Sequence, residues 1–264
     1  MLPPFTSSLL VTAGLTLFAF SSRAQATFRI GPRVGYILAN ASITQYDGYT
    51  NRTRPYASTY RGGVEAGLQG VIRKGHFAVQ PAVLFSQKGF HIDDRHAEAL
   101  TNGQHAAVST DQLTRFNYLT GSLNAAYTPR ADGQGFHLFA GPCVDWLLGG
   151  RYSYRSTYEF NNAGATSYAI DGKVVGSAPA RNFDYVAALD DTNYYSGRVD
   201  IGVHFGVGYR VGGVLWQVGY TQGLRNMGIE LVDASDPFPT SNGRAEVTNR
   251  AFQTSLTYLF GPRG

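Results

Sequence analysis

Apolar and polar side chains alternate along residues 198–224, RVDIGVHFGVGYRVGGVLWQVGYTQGL. Bulky apolar residues occupy every second position from 199 to 211, and small or polar residues lie between them. A period of two places all the apolar side chains on one face of a β-strand. The same alternation resumes over 214–220, so the segment predicts two strands, each with one apolar face.

The pair Gly212 and Gly213 separates these two strands. A two-residue glycine loop is typical of a β-hairpin, because the turns that suit strand twist require positive φ angles. The turn and the alternation agree on a single register. The predicted cross-strand pairs are Val211 with Val214, Tyr209 with Trp216, Val207 with Val218, and Phe205 with Tyr220.

The alternating pattern recurs along the chain and predicts eight strands in all. Their approximate ranges are 28–38, 60–72, 77–85, 113–127, 136–150, 199–211, 214–221 and 250–260. The connections after the second, fourth and sixth strands are short. Those after the first, third, fifth and seventh are roughly 20 to 45 residues long and polar, well beyond ordinary loops of about 4–6 residues.

Short turns at one end and long polar loops at the other are the layout of a transmembrane β-barrel. An open sheet would leave edge N–H and C=O groups unpaired in hydrocarbon, so membrane strands must close into a ring. The sequence therefore predicts an all-β fold, an eight-stranded antiparallel up-and-down transmembrane barrel with long extracellular loops and short periplasmic turns.

The first residues predict a cleaved secretory signal. The apolar run 9–20 is followed by SSRAQA, whose small residues fit cleavage after Ala26 or Ala24. This run is shorter than the roughly 20 apolar residues that a spanning helix needs. We expect residues 1–26 to be removed and residues 27–264 to form one barrel domain in the outer membrane.

Composition favours lipid outside the barrel. Charged residues are 15% of the chain, against about 25% in ordinary soluble domains. The formal net charge of +4 is too small to indicate nucleic-acid binding. A single cysteine, Cys143, cannot form an intramolecular disulfide, so stability must come from the fold.

The polar face of the strands predicts what fills the barrel. Eight strands enclose an interior just wide enough for side chains. The residues expected to line this lumen, in a structural role, are Arg33, Glu65, Asp200, His204 and Arg210.

Two prolines lie inside predicted strands. Pro81 and Pro142 each remove one donor from the hydrogen-bond ladder of a barrel that has no edge strand, so we expect a β-bulge at each. Strand 136–150 is also ambiguous in phase. There, Phe139 and Leu147 compete with Leu138 and Trp146 for the apolar face.

The layout resembles the small outer-membrane β-barrels labelled "porin family" or PorT-like, over nearly the whole mature chain. The resemblance is clearest in FHLFAGPCVDWLLGG, FGVGYRVGGVLWQVGYTQGLRNM and FQTSLTYLF. It implies an outer-membrane barrel, with outer-membrane lipid and the barrel-assembly machinery as partners, and it assigns no activity. Family members often stop at the terminal Phe, whereas four residues follow Phe260 here.

Candidate catalytic residues are poorly spaced. Ser196, Asp200 and His204 fall on one face of a strand, but steps of four residues separate them by about 13 Å, too far for a hydrogen-bonded series. The pair Gly206 and Gly208 lies inside a strand rather than before a helix, which argues against a phosphate-binding loop. We therefore predict no catalytic and no cofactor-binding residues.

The predicted long loops carry two polar clusters. One could in principle hold a divalent metal but matches no known ligand spacing, so a solvated loop is favoured and no metal site is predicted. Its members are His91, Asp93, Asp94, His96 and His105. The other combines arginine and tyrosine, as binding surfaces do, although tyrosines at a barrel rim have the same composition. Its members are Arg151, Tyr152, Tyr154, Arg155 and Tyr158.

Three functions fit these observations. The favoured one is a non-enzymatic outer-membrane barrel whose surface loops serve adhesion, ligand binding or contact with another envelope protein. A membrane-embedded enzyme acting on lipid or peptide is an alternative. A soluble periplasmic barrel carrying a small apolar ligand is another, and it would place the apolar faces inward.

Overall fold

The computed structural model describes residues 26–47, 52–99, 105–160, 164–177, 180–183, 192–228, 230–233 and 241–261. Residues 1–25 of the predicted signal segment 1–26 lie outside this range. The strands are β1 Thr27–Asp47, β2 Arg52–Tyr56, β3 Ser58–Lys74, β4 Phe77–Ala99, β5 His105–Tyr127, β6 Gly135–Phe160, β7 Gly164–Ser177, β8 Ala180–Phe183, β9 Tyr194–Gly197, β10 Val199–Val211, β11 Val214–Gly223, β12 Glu230–Asp233 and β13 Ser241–Tyr258.

Eight of these strands form a closed antiparallel ring. Its order is β1, β3, β4, β5, β6, β10, β11 and β13, and β13 pairs with β1 to complete it. The remaining strands extend the sheet at the end opposite the short turns, with β2 on β1, β7 on β6, and β12 on β13. The predicted eight-stranded barrel is confirmed. No helix in the described residues is long and apolar enough to cross a membrane.

The predicted hairpin is confirmed in register. β10 and β11 pair from Gly202 opposite Gly223 to Val211 opposite Val214, and the four predicted pairs are all present. Gly212 has a φ of 59°, the left-handed region that the tight turn requires.

The barrel has an apolar exterior. Large apolar side chains face outward around the ring and are between about two-fifths and seven-tenths exposed. They include Phe28, Val34, Leu68, Phe77, Leu123, Phe136, Leu138, Trp146, Val207, Trp216, Leu256 and Tyr258. The other face of the same strands buries charged and amide side chains. A soluble barrel carrying an apolar ligand is therefore wrong, because its interior would have to be apolar and its exterior polar.

The ambiguous strand, β6, has apolar residues on both faces. Leu138 and Trp146 point outward, whereas Phe139 and Leu147 are buried inside. Phe139 packs edge-on against His204, with ring centroids 4.8 Å apart. The alternation fails there because the interior itself contains apolar contacts.

The bulges predicted at the two prolines are wrong. The register of β3 with β4 is the same on both sides of Pro81, and that of β5 with β6 is unchanged across Pro142. The ladder is interrupted for a short stretch instead, since proline has no N–H to donate. The Pro81 ring packs over Gly70, where an added Cβ would lie 3.2 Å from Pro81 Cγ. Register shifts occur elsewhere, over 61–64 of β3 and beside Gly149 of β6.

Candidate functional site

The outward-facing apolar side chains around the ring form a band that we call the apolar belt. The strands β4, β5 and β6 continue well beyond it. The outward face changes from apolar to polar side chains at Gln87 and Asn117. The amide of Gln87 donates a hydrogen bond of 3.1 Å to the side-chain oxygen of Asn117. Above this level the outward side chains are polar or small except for Leu113, and β7 pairs with β6 from Gly150 to Phe160 to widen the sheet. Much of what the sequence suggested as long loops is therefore a continuous extracellular sheet, which we call the surface sheet (β4 from Gln87, β5 up to Asn117, β6 from Gly149, and β7).

The arginine–tyrosine cluster lies on β6 of the surface sheet, not in an irregular loop. Its members divide between the two faces: Tyr152, Tyr154 and Tyr158 lie on the face that continues from the barrel interior, and Arg151 and Arg155 lie on the outward face. The five residues therefore do not form one surface.

A one-residue bulge determines this division. Tyr118 of β5 is opposite Leu147, but the preceding residue, Asn117, is opposite Gly149, so Leu148 is an extra residue in β6. Gly149 accommodates the bulge with a φ of 141°. Because side chains alternate, the extra residue moves the inward face from odd-numbered positions below the bulge to even-numbered positions above it.

A row of aromatic rings in contact extends from the barrel interior to the surface sheet. Phe116 contacts Tyr194 at 6.0 Å between ring centroids, Tyr194 contacts Tyr152 at 5.3 Å, and Tyr152 stacks on Tyr154 at 6.4 Å. Burial raises the pKa of the Tyr152 hydroxyl well above its usual value, with smaller contributions from the neighbouring tyrosines. The Tyr152 phenol is therefore neutral at physiological pH and acts through its ring and its O–H group.

An open cleft lies at the top of this row of tyrosines. It has a volume of about 550 Å³ and lies on one face of the β6–β7 hairpin. Tyr158 and Tyr168 meet there edge to face, with ring centroids 6.0 Å apart and planes at 86°. The lining side chains are aromatic, aliphatic or hydroxylic, and none is charged: Tyr154, Ser156, Tyr158, Phe160, Thr166, Tyr168 and Ile170.

The outward face of the surface sheet is charged. Arg155 is directly opposite Asp111, whose Oδ2 lies 3.2 Å from His91 Nε2. Arg151 is opposite Arg115. The arginines of the cluster therefore lie on a charged face, and its tyrosines lie on the opposite face, which carries the cleft.

The histidine–aspartate cluster is also divided by the pleat of β4. His91 lies on the outward face with Asp111, whereas His96 and Asp94 share the inward face, with Nδ1 and Oδ2 3.0 Å apart. The side chain of His105 lies outside the described part of the chain. Within that part, no three His, Cys, Asp or Glu side chains gather closely enough to hold a metal ion.

The five predicted lumen residues all lie inside the barrel, at most 5% exposed. Arg33 and Glu65 form an ion pair of 2.7 Å between Nη2 and Oε1. Asp200 accepts a hydrogen bond of 2.8 Å from Asn249, and Arg210 donates one of 3.2 Å to the carbonyl of Gly212.

His204 lies between two amides. Its Nδ1 is 3.3 Å from the amide nitrogen of Asn124, and its Nε2 contacts that of Gln253. Ser196 donates to the carbonyl of Met227 instead. The three residues considered as a triad therefore use different partners.

Much of the interior was missed from sequence. A second buried ion pair joins Lys88 to Asp145, which also accepts a hydrogen bond from Thr120. Lys88 lay beyond the predicted end of its strand. Its parity, the same as that of the inward-facing Leu84 and Ser86, is the signal that could have placed it inside.

Amide side chains connect distant strands in the lower half of the lumen. Gln69 Nε2 donates to Gln217 Oε1 at 3.0 Å, and Gln217 Nε2 donates to Gln80 Oε1 at 3.1 Å. Gln69 Oε1 accepts a hydrogen bond of 2.9 Å from Thr257. No motif indicated these residues, because an isolated glutamine in an alternating strand carries no further signal.

An apolar layer closes the lumen toward the extracellular side. Phe90, Phe116 and Tyr118 pack there at most 2% exposed, with Leu147 and Met227 beside them. Phe90 and Phe116 lie 5.9 Å apart between ring centroids. We call this set the apolar layer, and it separates the polar interior from the surface sheet.

The filled interior leads to a prediction on conductance. Purified protein in a planar bilayer is expected to give no stable large-conductance opening, because ion pairs, amides and the apolar layer occupy the lumen. Single-channel recording checks this. Reproducible steps of the size that porins give would contradict it.

The chain is similar to several solved structures of outer-membrane proteins. Among solved structures, the attachment invasion locus protein Ail of Yersinia pestis is 10% identical, with a TM-score of 0.37 over 89% of this chain and 99% of that chain. OprG from Pseudomonas aeruginosa is 10% identical, with a TM-score of 0.43 over 90% and 98%. The outer membrane protease OmpT from Escherichia coli is 10% identical, with a TM-score of 0.38 over 92% and 99%. No curated protein matches this chain.

A family match agrees with the barrel geometry. It covers residues 14–228, most of the chain, and the family is described as an outer membrane protein beta-barrel domain. The closed ring, the apolar belt and the polar interior are the features that such a domain requires. The chain belongs to the outer membrane protein beta-barrel domain family and is an outer-membrane protein.

Proposed function

We propose that this protein is a non-enzymatic outer-membrane barrel that binds a ligand at the cell surface through its surface sheet. The observation that carries the proposal is the uncharged tyrosine cleft on the β6–β7 hairpin. A barrel embedded in lipid does not need strands that extend so far above its apolar belt. Binding residues are usually held on such rigid supports.

The lining of the cleft indicates the kind of ligand. Tyrosine rings offer flat apolar faces with a hydroxyl at the edge, and the hydroxyls of Ser156 and Thr166 add hydrogen-bonding groups. None of the described side chains that line the cleft is charged. These features suit an uncharged ligand with flat apolar faces and many hydroxyls, of which an oligosaccharide is the most common example outside a cell.

The proposal also includes a closer family placement and a set of partners. The Gly141–Pro142 pair, the hairpin of β10 and β11, and the apolar end of β13 support placement among the PorT-like small barrels. Outer-membrane lipid would cover the belt, the barrel-assembly machinery would insert the chain, and another envelope protein could use the same surface sheet.

A shortened hairpin tests the proposal. Tyr154 pairs with Ile170, so residues 155–169 can be replaced by Asn-Gly as a two-residue turn. A larger cut, from Tyr152 to Tyr194, would remove side chains that pack on the apolar layer. The shortened protein is expected to migrate as a folded, heat-modifiable barrel but to lose at least tenfold in affinity for oligosaccharides that the intact protein binds on an immobilised panel.

The control is Arg155→Gln, on the opposite face of the same hairpin, which should bind as the intact protein does. Tyr158→Ala should reproduce the loss. If binding or another activity survives removal of the hairpin and instead disappears on changing Glu65, His204 or Arg210, the interior is the functional site and an enzyme becomes the better proposal.

A further inference from the structure

Three arginine side chains come together inside the periplasmic end of the barrel. Arg29, Arg73 and Arg210 are 7%, 8% and 5% exposed. Arg210 is within electrostatic reach of the other two. Buried like charges repel strongly, and buried charges in proteins are normally paired with opposite ones. The charges of Arg73 and Arg210 therefore need a source of negative charge nearby.

The hydrogen bonds of Arg73 and Arg210 do not supply negative charge. Arg73 donates to the carbonyl oxygens of Gly75, at 3.3 Å, and Ala131, and Arg210 donates to that of Gly212. Among the described residues, two further donor atoms, Arg73 Nε and Arg210 Nη2, are buried without a hydrogen-bond partner. Each such donor costs free energy unless something accepts from it.

The carboxylate that acts on Arg210 is that of Asp132, on the turn below the barrel. Asp132 already accepts a hydrogen bond of 2.8 Å from Arg130, and its side chain is 42% exposed. The backbone N–H of Gln134 and the Arg130 guanidinium lower the pKa of Asp132. Asp132 also acts on Arg73, so this one carboxylate, already bonded to Arg130 at the surface, faces two buried guanidinium groups and leaves an excess of positive charge.

A small cavity lies between Arg73 and Arg210. It has a volume of about 20 Å³ and is also lined by Gln80, Thr128 and His137. This is room for one water-sized group.

Two turns lie beside this cavity. An added Cβ at Gly133 would lie 2.7 Å from Arg73 Nε, so only glycine lets the turn approach this guanidinium. Gln134 Oε1 accepts a hydrogen bond of 2.8 Å from the backbone N–H of Gly212, which ties the two turns together.

We propose that this periplasmic mouth binds a phosphate group, with one oxygen in the cavity between Arg73 and Arg210. Guanidinium groups match phosphate oxygens in geometry and charge, and a phosphate would accept from the two unpartnered donors while neutralising the cluster. The phosphate could belong to a phospholipid headgroup of the inner leaflet or to a soluble phosphate compound. This site lies at the opposite end of the barrel from the surface sheet and is independent of its function.

The test uses the full chain folded in a zwitterionic detergent free of phosphate groups. Urea midpoints are read from heat-modifiable migration on unboiled gels as inorganic phosphate is titrated, with chloride holding the ionic strength constant. Because a ligand that binds only the folded state stabilises it, the midpoint should rise with phosphate. The apparent Kd should weaken at least tenfold in Arg73→Gln and Arg210→Gln. The control Arg130→Gln, an exposed arginine on the same turn, should stay within about twofold of the parent.

Further experiments distinguish a lipid headgroup from a soluble phosphate compound and can contradict the proposed site. If a lipid headgroup is the natural occupant, nanodiscs of phosphatidylglycerol should stabilise the parent over nanodiscs of a phosphate-free galactolipid, and Arg210→Gln should remove that difference. Without phosphate, Arg210→Gln should unfold no more easily than the parent, because it removes an unneutralised charge. The proposal is overturned if chloride alone reproduces the rise, or if Arg210→Gln is less stable than the parent in the absence of phosphate.

Discussion

Replacing Arg33 by Met is expected to destabilise the folded barrel by about 3 to 5 kcal/mol. Arg33 and Glu65 form an ion pair whose side chains are each 1% exposed, so the substitution leaves the Glu65 carboxylate buried without its cation. Gln69 also loses the 3.3 Å hydrogen bond that Arg33 donates. Urea unfolding of the detergent-folded protein, followed by heat-modifiable migration, measures the loss.

Removing both partners should recover most of this stability. Arg33→Met combined with Glu65→Leu eliminates both charges, and buried ion pairs replaced by apolar residues of similar volume are often as stable as the original pair. The exposed pair of Arg130 and Asp132 gives the comparison, since Arg130→Met should change the midpoint little. A double variant as unstable as Arg33→Met alone would show that the loss comes from packing rather than from the stranded charge.

Val218→Arg is expected to cost about 2 to 4 kcal/mol, because it places a charge on the lipid-facing surface near the middle of the belt. Val218 lies opposite Val207 and Thr254 on neighbouring strands and points outward. The same unfolding measurement in lipid vesicles checks the cost.

The matched control for this substitution is Ala107→Arg. Ala107 also faces outward, but on the surface sheet above the belt and opposite Glu159, so an arginine there meets water and a carboxylate. Gln217, although on a polar face, would be a poor control because it is 2% exposed and connects Gln69 with Gln80. Equal losses at Val218 and Ala107 would contradict the placement of the lipid boundary.

The sequence predicted the barrel wall well because lipid constrains it. Along β10 and β11, a slip of one residue would turn every apolar side chain into the polar interior, so alternation alone determined the register. Above the belt the outward face of the sheet meets water instead of lipid, and that constraint weakens. The upper parts of β4, β5 and β6 therefore looked like loops, although they pair as regularly as the wall below.

The composition of the sequence indicated the candidate binding residues, but it did not indicate which face of the sheet each of them occupies. The sequence run from Arg151 to Tyr158 indicated a binding surface, yet nothing in it revealed that Leu148 is an extra residue or that the tyrosines and arginines face opposite ways. The prediction of a β-bulge at each proline was wrong for a related reason. The register continues unchanged past both prolines, and the Pro81 ring packs over Gly70 of the neighbouring strand, a contact that the sequence around Pro81 does not reveal.

The apolar layer divides the molecule into two parts that can change independently. Phe90, Phe116 and Tyr118 separate the charged network below from the surface sheet above. The ion pairs of Arg33 with Glu65 and of Lys88 with Asp145 lie below the layer. Substitutions in the β6–β7 hairpin therefore leave the network that closes the barrel untouched. In evolutionary terms, the exposed end is free to diversify its recognition while the part that must be inserted into the membrane stays under constant selection for folding.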